Sequence, residues 1–400
     1  MKKTLVIILT LLLWVGLAYG KANSPKKHVK TSNKASTKVQ AATKDVSPYK
    51  AYVVVEASSG KVIEGENTNV KRPPASVIKL MVACIVLDKI AKGELKLTDK
   101  ITVSAEASRI GGSQVYLKEG ESFTLEELIK ATLVASGNDS AYAIAEHIAG
   151  SKEGFIVLMN EKAKALGMID THFNSVHGLP PSKGEEGDLT TCADLALLAK
   201  ELLKHPKTLE WTSIKSEGFR DGTFIMNNHN KLLMKMPGIV DGMKTGYFSD
   251  AGFNLVATGK KNDLRFIVVV MGSPTAKIRD MVAMEKFKKA FAYYQTINIV
   301  KKGDLIDKDI FLVDGKKRKI KGVVKETLSC SIPNDKKENV KKEIVLPEKI
   351  QGEIKEGQKL GEILVKLDNE TIGKVDIISP ANIPKANLFT RLIRKLGFNI

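Results

Sequence analysis

Residues 238–271 read GIVDGMKTGYFSDAGFNLVATGKKNDLRFIVVVM. Within them Met243 to Tyr247, Asn254 to Lys260 and Arg265 to Met271 are strand-like runs, and Lys261-Asn262-Asp263 supplies the turn between the last two. Far upstream, Ala51 to Glu56 (AYVVVE) is another β-branched run, and Ser58-Ser59-Gly60-Lys61 turns it back into Val62-Ile63. Between these two strand regions the texture is helical. Pro73-Pro74-Ala75 stops any strand and leads into Ser76, whose apolar continuation through Ile90 suits a buried helix. Thr124-Leu125-Glu126-Glu127 has capping-box spacing, Thr191-Cys192-Ala193-Asp194 is a weaker version, and Ile278 to Tyr294 closes the region as a helix. Strands, helices, then strands predict an α/β body: a mostly antiparallel sheet built from distant parts of the chain, flanked by helices, with a helical lobe.

At 400 residues and 43% hydrophobic content the chain can bury an ordinary core across two or three domains. Its formal charge of +18 attracts nucleic acid, anionic lipid or an anionic polymer through the same Coulomb term. The first residues decide among them. Lys2 and Lys3 precede an apolar run from Leu5 to Leu17 that ends in Ala18-Tyr19-Gly20, the pattern of an export signal over residues 1–20. An uncut anchor is the alternative, although the run is shorter than the roughly 20 residues a spanning helix needs. Either reading puts the remainder outside the cytoplasm, which disfavours nucleic acid and favours lipid or cell-wall polymer.

Residues 21–47 are Lys, Ser, Thr and Ala with almost no large apolar side chain, a composition that cannot repay the entropy of folding and reads as a tether. The folded body is expected over residues 48–298. Residues 299–380 carry short β-branched runs (Ile310 to Val313, Glu343 to Leu346, Glu362 to Leu367) between Gly, Asp and Lys turns, and predict a small β-rich domain. In residues 381–400, Leu388, Leu392, Ile393 and Leu396 recur at helical spacing beside Phe389, while Lys385, Arg391, Arg394 and Lys395 take the other side. Such a basic amphipathic helix suits a membrane surface rather than a span; a terminal helix docked on the protein is the alternative. Cys84, Cys192 and Cys330 are odd in number and lack C-x-x-C spacing, so buried free thiols are expected rather than disulfides or a zinc site.

Three short strings carry candidate chemistry: Ser76-Val77-Ile78-Lys79, Ser136-Gly137-Asn138 and Lys244-Thr245-Gly246. Alone, each is common; Ser-x-x-Lys is ordinarily a solvated or capping pair. Together they have the order and spacing of one nucleophile system, with Ser136 60 residues after Ser76. Ser-x-x-Lys at a helix start sets hydroxyl and amine one turn apart on one face, so a neutral Lys79 could take the Ser76 proton. An amine near its ordinary pKa of about 10.4 is protonated, so it must be desolvated or set near another cation, here Lys244. The helix N-terminus at Ser76 favours developing negative charge and offers a backbone N–H. Ser136 and Asn138 would relay a proton and hold the lysines and a substrate amide.

Around these strings, residues 227–233 (NNHNKLL), 238–247 (GIVDGMKTGY), 250–257 (DAGFNLVA), 74–81 (PASVIKLM) and 177–180 (HGLP) closely resemble the low-molecular-mass penicillin-binding proteins of the D-Ala-D-Ala carboxypeptidase family, over about residues 48–295. The resemblance implies a β-lactamase/transpeptidase-like fold and a serine acyl transfer that frees the terminal D-alanine of a peptidoglycan stem peptide, with β-lactam antibiotics trapping the same serine. It implies Ser76 as nucleophile, Lys79 as its base, and Ser136 with Asn138 as the second element. Lys244 and Thr245 would orient the substrate carboxylate, and the backbone N–H groups of Ser76 and Tyr247 would form an oxyanion hole. Arg279 matches a family arginine near the carboxylate, against the commoner reading of a surface ion pair. The family's β-rich second domain and C-terminal membrane helix parallel what the tail predicts independently; the long lysine-rich tether is a departure.

No cofactor or metal is expected, since no histidine stands in H-E-x-x-H and no G-x-S-x-G elbow supports a Ser-His-Asp triad. A serine β-lactamase is the nearest enzymatic rival. It deacylates through an added glutamate, whereas Glu185 and Glu186 lie here in a Gly-rich loop without that family's pattern. A catalytically idle wall-binding scaffold is the rival from another class.

Overall fold

A computed structural model describes residues 47–395 of the chain. The expected signal, the tether up to residue 46 and the last residues of the C-terminal helix lie outside the described residues.

The sheet that organises the body is five-stranded and antiparallel throughout: β1 (Ala51–Glu56), β2 (Val62–Glu66), β3 (Val240–Phe248), β4 (Gly252–Lys261) and β5 (Leu264–Ser273), in the spatial order β2-β1-β5-β4-β3. All six residues of β1 are buried, which explains why AYVVVE shows no alternation of apolar and polar. Successive side chains of a strand point to opposite faces. Ala51, Val53 and Val55 accordingly enter one core with the helical lobe, while Tyr52 and Val54 enter a second with a long helix on the other face. In β5, Ile267, Val269 and Met271 join the first core and Phe266, Val268 and Val270 the second.

The lobe is made of helices α1 (Lys79–Ala91), α2 (Leu125–Val134), α3 (Asn138–Ala149) and α4 (Cys192–Leu202), with the short helix Ala105–Arg109 and the longer helix Lys152–Ala165 between them; α5 (Ala276–Tyr293) covers the opposite face. The N-terminus of α2 is fixed by a full capping box: Thr124 Oγ1 accepts from Glu127 N at 3.2 Å and Thr124 N donates to Glu127 Oε2 at 2.7 Å. At α4 only half the box forms. Thr191 Oγ1 accepts from Asp194 N at 3.1 Å, but the Asp194 carboxylate turns to Thr171 and Asp170. The three cysteines are free and buried, and burial pushes the Cys84 thiol up to about 12.

A β-rich part follows α5 without a break, and it starts at Tyr294, earlier than the change in texture predicts. Strand β6 (Tyr294–Val300) pairs with β9 (Leu328–Pro333); β7 (Ile310–Leu312) pairs with β8 (Lys319–Ile320); β10 (Val340–Val345), β11 (Lys359–Leu367) and β12 (Glu370–Ile378) form most of a four-stranded sheet. The described chain ends in α6 (Leu388–Lys395), and no described helix is long and apolar enough to cross a membrane.

One buried side chain ties the sheet to the segment that leads into Ser76. Asn254, in β4, donates from Nδ2 to the carbonyls of Pro73 (2.9 Å) and Pro74 (3.1 Å) and accepts at Oδ1 from Gly272 N (2.8 Å). The Pro74 carbonyl accepts from Val77 N as well, at 3.4 Å. We expect Asn254→Ala to lower stability by about 3 kcal/mol, because buried partners are left unsatisfied. Urea unfolding measures this, and an unchanged midpoint would count against the anchoring role.

Candidate active site

Ser76 lies in a 3-10 turn, Ala75–Ile78, and the α-helix proper begins at Lys79. This corrects the expectation that Ser76 itself opens the α-helix: Pro73-Pro74 and a left-handed Ala75 (φ +51°) start the chain in a tighter turn. Residues Lys79 to Leu87 are all buried, and Lys79 is the one charged residue among them. Ser136, also left-handed (φ +63°), comes from the turn between α2 and α3, Asn138 from the first position of α3, and Lys244 from β3.

These groups converge. Lys244 Nζ donates to Ser136 Oγ at 2.8 Å and to its neighbour's carbonyl, Thr245 O, at 3.0 Å. Lys79 Nζ has four oxygen neighbours: Ser76 Oγ at 2.9 Å, Ser136 Oγ at 3.5 Å, His177 O at 3.1 Å, and Asn138 Oδ1 in a short contact. The Asn138 amide is oriented unambiguously, because its Nδ2 faces the carbonyl of Gly111 at 2.7 Å and a carbonyl can only accept. Asn138 Oδ1 and His177 O are likewise acceptors only. A neutral amine has two N–H groups, and these two acceptors consume both. Its lone pair is then left to the hydroxyls, of which Ser76 is the nearer.

The electrostatics push in the same direction. Burial, then the charge of Lys244, lowers the Lys79 pKa well below the usual lysine range, and Asp139 opposes this only in part. Lys244 is lowered to about 7 by burial and by Arg279. Both lysines are thus pushed away from the charged state, Lys79 first by burial and then by the charge of its neighbour. The positive field extends outward: burial first, then the charges of Lys244, Lys231 and Arg279, push His229 down to about 4.

Arg279 is buried, not the surface ion pair that was the alternative reading. Its Nε and Nη2 donate to Asp280 Oδ1 at 3.0 and 2.6 Å, and Nη1 reaches Asn254 O at 3.4 Å, so three of its five N–H groups are used. Thr245 is buried beside Lys244. A Cβ on Gly246 would stand 2.6 Å from Pro74 O and 3.0 Å from the backbone nitrogens of Ser76 and Val77, so only glycine lets β3 pass this close over the nucleophile's turn. Tyr247 is exposed and stacks on Phe253 at 4.0 Å.

Several contributors were outside the reach of sequence reasoning. The carbonyl of His177 is one, and its ring, lowered to about 4 chiefly by burial, only accepts from Leu179 N through Nδ1. Asp188 steadies this segment by accepting from Asn174 N and Ser175 N, and Ser175 Oγ accepts from Gly178 N at 2.8 Å. Gly178 (φ +79°) lies so close to the Ala75 carbonyl that a Cβ would collide with it. Buried Asp139 accepts from Val115 N and Leu117 N, which fixes the segment whose Gly111 carbonyl orients Asn138. Only the string His177-Gly178-Leu179-Pro180 offered a signal, and a backbone carbonyl leaves none in side-chain identity. Among the described residues no cluster of His, Cys, Asp or Glu could hold a metal ion.

Residues 36–275 match the family model described as D-alanyl-D-alanine carboxypeptidase. The chain belongs to that family. Residues 294–385 match a second model, the C-terminal domain of penicillin-binding protein 5. The chain is 36% identical to the D-alanyl-D-alanine carboxypeptidase DacF of Bacillus subtilis, over 87% of this chain and 89% of that protein. It is 32% identical to DacC of Escherichia coli over 86% of each. Among solved structures, penicillin-binding protein 5 of Haemophilus influenzae aligns with a TM-score of 0.72 at 28% identity, covering 84% of this chain and 98% of that one. Penicillin-binding protein D2 of Listeria monocytogenes, solved in its ampicillin-bound form, aligns with a TM-score of 0.54 at 28% identity, covering 60% of this chain and 96% of that one. The two buried lysines of this chain are the feature to test.

Carbon-detected NMR of the lysine side chains provides that test. Lys79 should titrate well below the ordinary value of about 10.4. In Lys244→Ala its pKa should rise, because a repelling cation is gone while burial persists. A Lys79 titration unmoved by that substitution would contradict the coupling.

Proposed function

We propose that the chain is a serine-type D-alanyl-D-alanine carboxypeptidase that removes the terminal D-alanine from peptidoglycan stem peptides and is acylated by penicillins. The observation that carries this reading is the Lys79 amine, 2.9 Å from the Ser76 hydroxyl with Asn138 Oδ1 and His177 O as its acceptor-only neighbours. Lys79 takes the hydroxyl proton as Ser76 Oγ attacks the carbonyl of the penultimate D-alanine. As the tetrahedral intermediate collapses, the C–N bond breaks and the departing amine of D-alanine receives a proton. Ser136, between the two lysines, is placed to pass it. Water then attacks the acyl-enzyme ester, and Ser76 recovers its proton. The carboxylate of the departing residue suits the cationic side of the cleft, Lys244 with Thr245 beside it and Arg279 behind.

The ampicillin-bound relative from Listeria supports the penicillin half of the reading. Against the β-lactamase alternative, Glu185 and Glu186 are exposed, and the Glu185 carboxylate is engaged by Ser182 N at 3.0 Å. Slow loss of bound penicillin follows. The convergence of all three strings on one buried cluster weighs against an idle scaffold. An exported chain at the outer face of a membrane, held there by its basic C-terminal helix, is part of the same proposal and rests on the sequence pattern of residues 1–20 and 381–400.

Incubation with a tripeptide ending in D-Ala-D-Ala should release D-alanine, and fluorescent penicillin should leave a lasting covalent label that Ser76→Ala abolishes. Lys79→Ala should slow acylation by about 10²–10⁴-fold with an unchanged circular dichroism spectrum. Rapid turnover of the label would point to a β-lactamase, and absence of any adduct to a scaffold.

A further inference from the structure

The C-terminal helix does not hang free of the β-rich part. Asn387 caps it, its Oδ1 accepting from Thr390 N at 2.8 Å, and the segment before it runs along the turn that joins β7 to β8. Gly315 and Lys385 form an antiparallel bridge; Lys316 N donates to Pro384 O at 2.8 Å, and Ala386 N donates to Asp314 O at 2.7 Å. From within α6, Arg394 Nη1 donates to Gly315 O at 2.7 Å. Helix and turn are thus one surface.

That surface combines two characters. Leu388, Phe389 and Leu392 are 76%, 71% and 57% exposed, a concentration of large apolar side chains in one short helix that water alone does not favour. Beside them the turn reads Lys316-Lys317-Arg318-Lys319, every residue exposed. Lys319 pairs with Asp309 at 3.0 Å, whereas Lys316 and Lys317 take part in no ion pair among the described residues; Asp314, partly buried, is the nearest acid in sequence. A soluble polyanion would satisfy the charges but leave the apolar side chains in water. An anionic bilayer satisfies both.

We propose that the turn Asp314 to Lys319 is a second membrane-contacting element, in which Lys316 and Lys317 hold anionic phospholipid headgroups while the apolar side chains of α6 enter the bilayer beside them. This rests on the membrane-surface reading of the helix and adds an orienting contact. A helix alone can roll and pivot on a bilayer; a helix bonded to a cationic turn presents the β-rich part, and the body beyond it, in one orientation. The mechanism is electrostatic, so it is sensitive to salt and to lipid charge.

The test uses residues 47–400, whose described part is one compact unit and contains every apolar core among the described residues. Sedimentation is measured with phosphatidylcholine vesicles, with and without phosphatidylglycerol. The double variant K316Q/K317Q should bind the anionic vesicles roughly 30-fold more weakly at about 1 kcal/mol per lysine, with a shallower salt dependence. Its binding to neutral vesicles and its release of D-alanine from a soluble tripeptide should be unchanged. If K316Q/K317Q binds anionic vesicles as the parent does, while L388S/F389S loses binding, the turn has no such role and the helix reading survives. If the parent binds neither vesicle, both are overturned.

Discussion

An ammonium group taken out of water beside a second cation is the constraint around which this molecule is arranged. Burying one lysine is costly unless it is neutral or fully partnered, and burying two within reach of a single serine hydroxyl makes the fully charged state worse still. Lys79 stays partnered while it is buried, its N–H groups facing one amide oxygen and one backbone carbonyl, and burial with the neighbouring charge favours its neutral form. What is left of its coordination is a lone pair and a hydroxyl. The same repulsion that destabilises the charged pair is what makes the neutral one a base, so the electrostatic cost and the chemistry have one origin.

Holding that arrangement requires backbone that ordinary residues avoid. Ala75 and Ser136 both adopt left-handed conformations, and such positions carry strain of order 1–3 kcal/mol that the surroundings must over-determine. Here the surroundings do. Asn254 grips the carbonyls of Pro73 and Pro74, and Gly178 and Gly246 let their chain segments close in on Ala75 and Ser76 from two sides. Asp139 and Asp188 then fix the segments that orient Asn138 and His177. Three parts of the chain remote in sequence meet because a five-stranded sheet with both faces covered leaves β3 at its edge, alongside the N-terminal end of α1.

Much of this was legible beforehand, and the remainder was hidden for physical reasons. The side chains Ser76, Lys79, Ser136, Asn138 and Lys244 could be named because three strings, each common alone, stand together in the order of one known nucleophile system, and resemblance to its family assigns their roles. The strands from Val240 to Ser273 could be read from β-branched content between turns. Backbone groups carry no such mark, so the carbonyls of His177 and Gly111 stayed invisible, as did the acids that position them. The 3-10 turn at Ser76 was read as α-helix because both leave the same apolar periodicity over one turn. Arg279 beside Asp280 looks like a surface pair in sequence, and only the packing of α5 on the sheet buries it. The lysines after Gly315 read as an ordinary turn, since the sequence does not announce which helix will be bonded to it.

The pH dependence of penicillin acylation between mildly acid and strongly alkaline solution tests the central claim most directly. If an uncharged Lys79 removes the Ser76 proton, the rate should climb through an ionisation well below the ordinary lysine value of about 10.4 and reach its plateau there. A rate that keeps rising up to that ordinary value, or that shows no ionisation at all, would contradict it.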